Sequence, residues 1–435
     1  MASKGIPSKG PAFRPAPPPE GKGKVRVGIV GIGEIGLRHL VKLLPMAEVE
    51  IRALCDVRPE RMELGLEAAR RAGRPKPDLH GGEEGYKELC AREDLDLVLT
   101  ATPWQWHVPV CLEAMGSGKH AATEVPAAVT LEDCWKLVET SERTGRQCVM
   151  LENCCYGRVE LLALNMARKG LFGKTIHARG GYLHDLRAIK FSARGEGSWS
   201  QEEILGRDGD PYPTHGLGPV AWCLDLGRGN RMERLVSMSS APLGLRLYAE
   251  ERFGASSPEA ERDYAQGDVV LTMIRAARGE TILLVHDTNS PRPYSRNFLV
   301  QGTRGILRKY PVPLIHLEGR TPPGEWEDLA PCMEEFDHPL WKGVPPESRE
   351  AERERMDTLA LSRLVRAFAG GYPPDMDVYD AASWSAVAEL SARSIAGGNI
   401  PVEFPDFTRG AWRSRPPALD LPPGRSRSQP ENKFP

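Results

Sequence analysis

Three glycines in the string Gly31-Ile32-Gly33-Glu34-Ile35-Gly36 constrain this chain more than any other feature. They follow the apolar run Val25-Arg26-Val27-Gly28-Ile29-Val30 and lead into a helical pattern, Leu37-Arg38-His39-Leu40-Val41-Lys42-Leu43-Leu44. Strand, glycine turn and helix in that order make a dinucleotide cradle. Gly31 permits the tight turn and Gly33 lets the backbone approach a pyrophosphate. Gly36 lets the helix pack close to the strand, with its first N–H groups facing the phosphates. A second strand, Val49 to Cys55, ends at Asp56, near the expected separation of about 20 residues. That carboxylate can accept both ribose hydroxyls of NAD and would repel the 2′-phosphate of NADP. The alternative is a glycine turn in an ordinary strand–helix–strand unit, and the placement of Asp56 favours NAD.

A chain of 435 residues suits two domains. The net charge of −2 gives no reason to expect nucleic acid or a membrane as partner. Nine cysteines, an odd number without any Cys-X-X-Cys, argue against a disulfide frame or a zinc site. Cys55 and Cys148 sit in apolar runs as small hydrophobes, and a reducing, cytoplasmic setting fits them. Residues 1–23 are rich in Pro, Lys, Gly and Ser, and residues 414–435 in Pro, Ser and Arg. Both are expected to be disordered tails. Neither a signal-peptide stretch nor a membrane span is evident.

Over 24–152, strands at 25–30, 49–55, 95–101, 119–123 and 147–151 alternate with helical stretches. The pattern predicts a Rossmann domain with a doubly wound parallel sheet, whose ligands lie beyond the carboxyl ends of the strands. The segment Thr102-Pro103-Trp104-Gln105-Trp106-His107, the tripeptide Glu124-Val125-Pro126, and Asn153 to Tyr156 follow three of those strands. All three reach the same rim as the glycine turn. Over 153–413 the character changes. A helix at about 158–169 precedes alternating runs at 175–183, 233–240, 268–276, 280–288 and 296–302. These predict a substrate-binding α+β domain with a mostly antiparallel open sheet. Helical patterns at 350–370 and 380–396 and a short strand at 401–404 complete it. A sheet-faced domain of this kind often pairs, so a homodimer is expected.

Four polar clusters in this second part could carry chemistry. In Glu152-Asn153-Cys154-Cys155-Tyr156, the position at a strand exit favours a site role for Tyr156 over a half-buried aromatic. The two cysteines read as packing, since no base is dedicated to them. The second cluster, Gly181-Tyr182-Leu183-His184-Asp185-Leu186-Arg187, could equally be a solvated turn. The third runs from Arg207 to Pro219 and reads as a rigid loop, stiffened by proline, that holds Tyr212 and His215. Pro291-Arg292-Pro293-Tyr294-Ser295-Arg296 suits a sugar hydroxyl or a partner chain equally. No His-Glu-X-X-His or carboxylate cluster is present, so no metal is expected, and the Gly-X-Ser-X-Gly elbow of serine hydrolases is missing.

Residues 24–126 resemble the Gfo/Idh/MocA oxidoreductases, which bind NAD(P) and often act on sugars. The likeness rests on the glycine turn, Thr102-Pro103 with His107, and Gly118-Lys119-His120 leading to Glu124-Val125-Pro126. Dehydrogenases of that family usually carry Glu-Lys-Pro there, with a lysine that assists proton transfer, and Val125 replaces it. Residues 24–413 are similar to glycoside hydrolase family 109, the NAD-dependent α-N-acetylgalactosaminidases. The similarity runs through Thr123-Glu124-Val125-Pro126-Ala127-Ala128, Met150-Leu151-Glu152-Asn153, Tyr182 to Arg187, Tyr212 to Pro219, His286-Asp287-Thr288, Pro291 to Ser295 and Pro405 to Gly410. The resemblance places Glu34, Ile35, Asp56, Trp104, His107, Glu124, Val125 and Asn153 against NAD. It places Tyr182, Tyr212, Pro213, Thr214, His215 and Tyr294 around a small-molecule glycoside. Where the family has a substrate-contacting Trp-Arg, this chain reads Trp199-Ser200. Serine cannot replace a forked cation, and a lost charge-assisted hydrogen bond costs about 1.5–3 kcal/mol. Arg207 is the nearest candidate substitute.

The implied reaction oxidises the C3 hydroxyl, eliminates the aglycon across C1–C2, adds water and reduces C3 again. It needs no pair of flanking carboxylates. Within it, Tyr156 is expected to take the C2 proton and His215 the C3 hydroxyl proton. Two other readings compete: a net NAD-dependent sugar dehydrogenase, which Val125 counts against, and a non-catalytic NAD- and sugar-sensing protein, which Ser200 would suit.

Overall fold

A computed structural model describes residues 16, 17, 19–192, 206–345 and 348–419. Its first sheet is parallel and uses β1 (Val25–Val30), β2 (Val49–Asp56), β3 (Asp78–Gly81), β4 (Leu97–Thr100), β5 (His120–Thr123) and β6 (Cys148–Met150). The strand order is β3-β2-β1-β4-β5-β6, the doubly wound order with its switch point between β1 and β4. All five expected strands form. β3 is an addition, a short polar edge strand with no fully buried residue and hence no apolar signature.

Two glycines hold this switch point open. Gly31 adopts φ +85°, and a Cβ there would lie 2.7 Å from the Ala101 carbonyl oxygen. A Cβ on Gly36 would lie 1.8 Å from the Gly31 carbonyl oxygen, so the helix Glu34–Leu43 can start here only on glycine. Arg26 clamps the far end of β1 to the start of β4. Its Nε and Nη2 donate to the two Asp96 oxygens at 2.9 and 2.8 Å.

The second sheet has nine strands. They are β7 (Thr175–Leu183), β8 (Met232–Ser239), β9 (Val269–Ala276), β10 (Thr281–Asp287), β11 (Leu299–Gly302), β12 (Gly305–Arg308), β13 (Leu314–Leu317), β14 (Glu327–Asp328) and β15 (Val402–Glu403). The order is β14-β13-β12-β11-β7-β10-β9-β8-β15, antiparallel except for the parallel pair β7–β10. The expected rigid loop from Arg207 to Pro219 is corrected in its second half. Thr214–Cys223 is a helix, with Pro219 inside it. Its glycines serve packing rather than turning. A Cβ on Gly216 would meet Gly181 N at 2.1 Å, and one on Gly180 would meet the Gly216 oxygen at the same distance. The helix backbone thus lies directly on β7 and carries His215 to the strand that carries Tyr182.

The two sheets share one hydrophobic core that runs from Val25 to Leu419. The described ends of the segments expected to be disordered are packed. Gln147 Nε2 donates to the Ala16 and Pro17 carbonyls at 2.9 Å, Gly23 N donates to Ala369 O at 3.0 Å, and Ala418 and Leu419 are buried. Composition hid this, because the contacts are made largely by backbone. All nine cysteines are free and buried. Among the described residues, no helix is long and apolar enough to cross a membrane.

Candidate functional site

The carboxyl rim of the first sheet meets the helix Thr214–Cys223 and β7. At the glycine turn, Asp56 Oδ2 accepts Ile32 N–H at 2.7 Å and Oδ1 accepts Arg58 N–H at 2.9 Å, which fixes the carboxylate beside the cradle. Gly33 has nothing within 4 Å of where its Cβ would stand, so the turn faces open space there. Glu34 and Ile35 open the helix that follows. An open glycine, a helix N-terminus and an anchored acid together fit a dinucleotide.

Glu124 leaves β5 and meets His39, with Oε1 to Nε2 at 2.5 Å. Burial would raise its carboxyl, but His39 outweighs burial and holds it below the usual carboxylate range. Val125 is buried. His107 is fully buried, with Nδ1 2.8 Å from Pro126 O and Nε2 2.9 Å from Thr102 O. It ties two rim loops together from beneath instead of presenting its ring to a ligand, and burial lowers its pKa. Asn153 donates from Nδ2 to Asp357 Oδ1 at 2.5 Å.

Trp104 begins the helix after β4 and stacks on Tyr212, with ring centroids 5.7 Å apart and planes at 24°. Tyr212 is 4.7 Å from the Tyr182 ring and 4.9 Å, edge-on, from the His215 ring. Tyr182 is also 5.6 Å from His215 and 6.4 Å from Tyr294. Residues far apart in sequence thus form one aromatic wall, with Pro213 and Thr214 setting the start of the helix that carries His215. Arg207 donates to the Val129 carbonyl at 2.7 Å. The Trp199-Ser200 pair lies outside the described residues.

His215 is oriented by a residue the sequence reading quoted but did not single out. Its Nδ1 is 2.8 Å from Oε1 of Glu152, a carboxylate with 0% exposure that also accepts Cys154 N–H at 3.0 Å. Burial alone would lower the imidazolium. Cys154 and Glu152 beside it outweigh burial and hold it well above the ordinary imidazole value. Burial would likewise raise Glu152, but His215 keeps it below the usual range. With Nδ1 engaged, Nε2 faces the Tyr212 hydroxyl at 3.5 Å.

Tyr156 is not part of this wall, which corrects its expected place. Its hydroxyl donates to Asp375 Oδ2 at 2.9 Å, beside Arg363, and its ring packs edge-on against Trp222. Burial and then Asp375 push its pKa well above the ordinary phenol value, the opposite of what a base needs. The reading of Cys154 as plain packing is also revised. Arg296 Nη1 donates to its Sγ at 3.0 Å, and Cys154 lies with Glu152 and His215 so that one ligand atom of each is within 4.8 Å of the others. The separation of 61 positions between Cys154 and His215 hid this cluster from any spacing rule.

Residues 25–152 match the family model "Oxidoreductase family, NAD-binding Rossmann fold", and residues 156–414 match "Glycosyl hydrolase 109, C-terminal domain". The chain is 45% identical over 396 residues to an alpha-N-acetylgalactosaminidase of Bacteroides fragilis, covering 89% of this chain and 93% of that protein. It is 44% identical over 412 residues to a glycosyl hydrolase family 109 protein of Solibacter usitatus, covering 94% and 92%. Among solved structures it is similar to levoglucosan dehydrogenase in complex with NADH and levoglucosan. That pair has a TM-score of 0.67 at 20% identity and covers 88% of this chain and all of the other, a likeness of fold.

Proposed function

The chain belongs to glycoside hydrolase family 109, and from that membership we propose that it hydrolyses α-N-acetylgalactosaminides with NAD as a recycled cofactor. The Bacteroides fragilis relative carries that activity in its name. The observation that carries the proposal is the array Glu152–His215–Tyr212–Tyr182, which abuts Trp104 from the dinucleotide half.

Gly31, Gly33, Gly36 and Asp56 would hold NAD, with Glu34, Ile35 and Glu124 along the same rim. When bound, NAD supplies a hydride acceptor at the start and the same hydride at the end, so the net reaction is hydrolysis. His215 takes the C3 hydroxyl proton on Nε2 and later returns it, while Glu152 fixes the tautomer through Nδ1. Once C3 is a ketone the C2 hydrogen is acidic. With Tyr156 committed to Asp375, Tyr182 is the phenol in place to take that proton, since it lies against His215, Tyr212 and Tyr294. Tyr212 and Tyr294 orient the sugar. Val125, which has no proton to give, separates this site from a net sugar dehydrogenase.

The test is proton NMR of the protein with an aryl α-N-acetylgalactosaminide and NAD in deuterated water. Cleavage with deuterium at C2 is the expected result. NADH accumulation with a free sugar would instead assign a dehydrogenase, and NAD binding without cleavage or exchange would reject catalysis on this substrate.

A further inference from the structure

The geometry points to a second property of this site: Glu152, Cys154 and His215 form a binding site for a thiophilic divalent cation, zinc above all, that competes with the proton work of His215. The three side chains offer a carboxylate oxygen, a sulfur and an imidazole nitrogen, all within 4.8 Å of one another. Tetrahedral zinc, with bonds of about 2.0–2.3 Å, needs ligand atoms roughly 3.3–3.8 Å apart. The 2.8 Å contact between Glu152 and His215 must open by roughly half an ångström, and any pair standing near the 4.8 Å limit must close by roughly one, movements of side-chain rather than backbone size.

Three further observations support the site. Glu152 has 0% exposure, and among the described residues its Oε2 makes no sound hydrogen bond although the Thr214 hydroxyl is its neighbour. A buried carboxylate oxygen left over in this way is a spare ligand. The charge also balances. Zinc with one thiolate, one carboxylate and a neutral imidazole is net neutral, which a buried site tolerates. Arg296, which donates to the Cys154 sulfur, adds no surplus, because Arg296 and Lys309 are matched by Glu160 and Glu352. The sulfur selects zinc over magnesium or calcium, which prefer oxygen. Entry is from the His215 edge, whose side chain is 15% exposed. Three protein ligands leave a fourth position open to water. Binding releases to solvent any proton held by the sulfur or the coordinating imidazole nitrogen, and forms one metal–sulfur, one metal–nitrogen and one metal–oxygen bond.

Binding does not depend on the glycosidase reading; only its effect on turnover does. The purified full-length protein, freed of metal with EDTA, is titrated with zinc by calorimetry and with cobalt by absorption. About one equivalent per chain and a sulfur-to-cobalt charge-transfer band are expected. In Cys154→Ser the band should vanish and zinc affinity fall at least roughly tenfold, while Cys155→Ser keeps both. No binding to the wild type, or a band that survives Cys154→Ser, overturns the site. Should Cys154→Ser fail to fold, X-ray absorption of the zinc-loaded wild type decides: one sulfur with two or three lighter ligands is expected, and a shell with no sulfur or two overturns it. Zinc should also abolish turnover, reversibly with EDTA. A thiolate-bound metal that leaves turnover intact would sustain the site and reject the proposed role of His215.

Discussion

Glu152 Oε1 stands 2.8 Å from His215 Nδ1, and the carboxylate behind that contact has no exposure to solvent. The pair fixes which ring nitrogen works, and Cys154 and Glu152 together keep the imidazolium well above its ordinary value. If His215 must be neutral to accept the C3 hydroxyl proton, activity rises with pH, and its acid limb lies above the ordinary imidazole value of about 6.5. Glu152→Gln removes the charge that stabilises the imidazolium, so that limb moves to lower pH while the maximal rate falls. The pH profile of kcat/KM checks this. A limb that stays in place would remove Glu152 from the role.

Replacing His215 itself by Ala should lower kcat by about 10²–10⁴-fold, the usual worth of a placed acid–base group. Binding of NAD, followed by calorimetry, should change little, because His215 is held by Glu152 and Tyr212 while the cradle is fixed by Asp56.

Tyr156→Phe should leave deuterium exchange at C2 intact. The variant loses one hydrogen bond to Asp375, which Arg363 still holds, and stability should fall by about 1–2 kcal/mol in a denaturant melt. Loss of exchange with the fold preserved would restore Tyr156 as the base.

Gly36→Ala forces a methyl to within 1.8 Å of the Gly31 oxygen. The helix must retreat from the turn, and NAD affinity should fall at least tenfold, roughly 1.4 kcal/mol or more. Retained affinity would show that the cradle tolerates the displacement.

Arg26 and Asp96 predict an acid limit on stability. Burial would raise the Asp96 carboxyl, but the Arg26 hydrogen bond and charge outweigh it and bring it down to about 2. A depressed carboxyl stabilises fully above its unfolded value near 3.9, and that share is lost as pH falls toward 2. Undiscounted, the shift would be worth about 2.6 kcal/mol, and solvent screening of this half-buried pair leaves about 1–2 kcal/mol. Asp96→Asn should be less stable than the parent at neutral pH, and the difference should close between about pH 4 and 2 in thermal melts.

Much of the fold was legible. β1, β2 and β7 to β10 show clean apolar runs or alternation, and the expected bounds agree with the structure to within a residue or so. The helix Thr214–Cys223 was missed because Gly216, Gly218 and Pro219 are loop residues by propensity. The close approach to Gly180 and Gly181 explains Gly216, and that to Cys155, Glu152 and Trp384 explains Gly218; both are tertiary facts. β12, β13 and β14 are four residues or shorter, too brief for a pattern to declare itself. The aromatic wall was legible through the family resemblance, residue by residue. What could not be read was direction: nothing in Glu152-Asn153-Cys154-Cys155-Tyr156 says that Glu152 and Cys154 turn toward His215 while Tyr156 turns to Asp375.

In the proposed function, the stacking of Trp104 on Tyr212 joins a residue on the NAD side of the rim to one that orients the sugar. Any ligand that presses on one ring moves the surface offered to the other. Thermodynamic reciprocity then requires that whatever the first ligand does to the affinity of the second, the second does in equal measure to the first. Under that function, occupancy by sugar and by cofactor are coupled by one and the same factor, whichever arrives first.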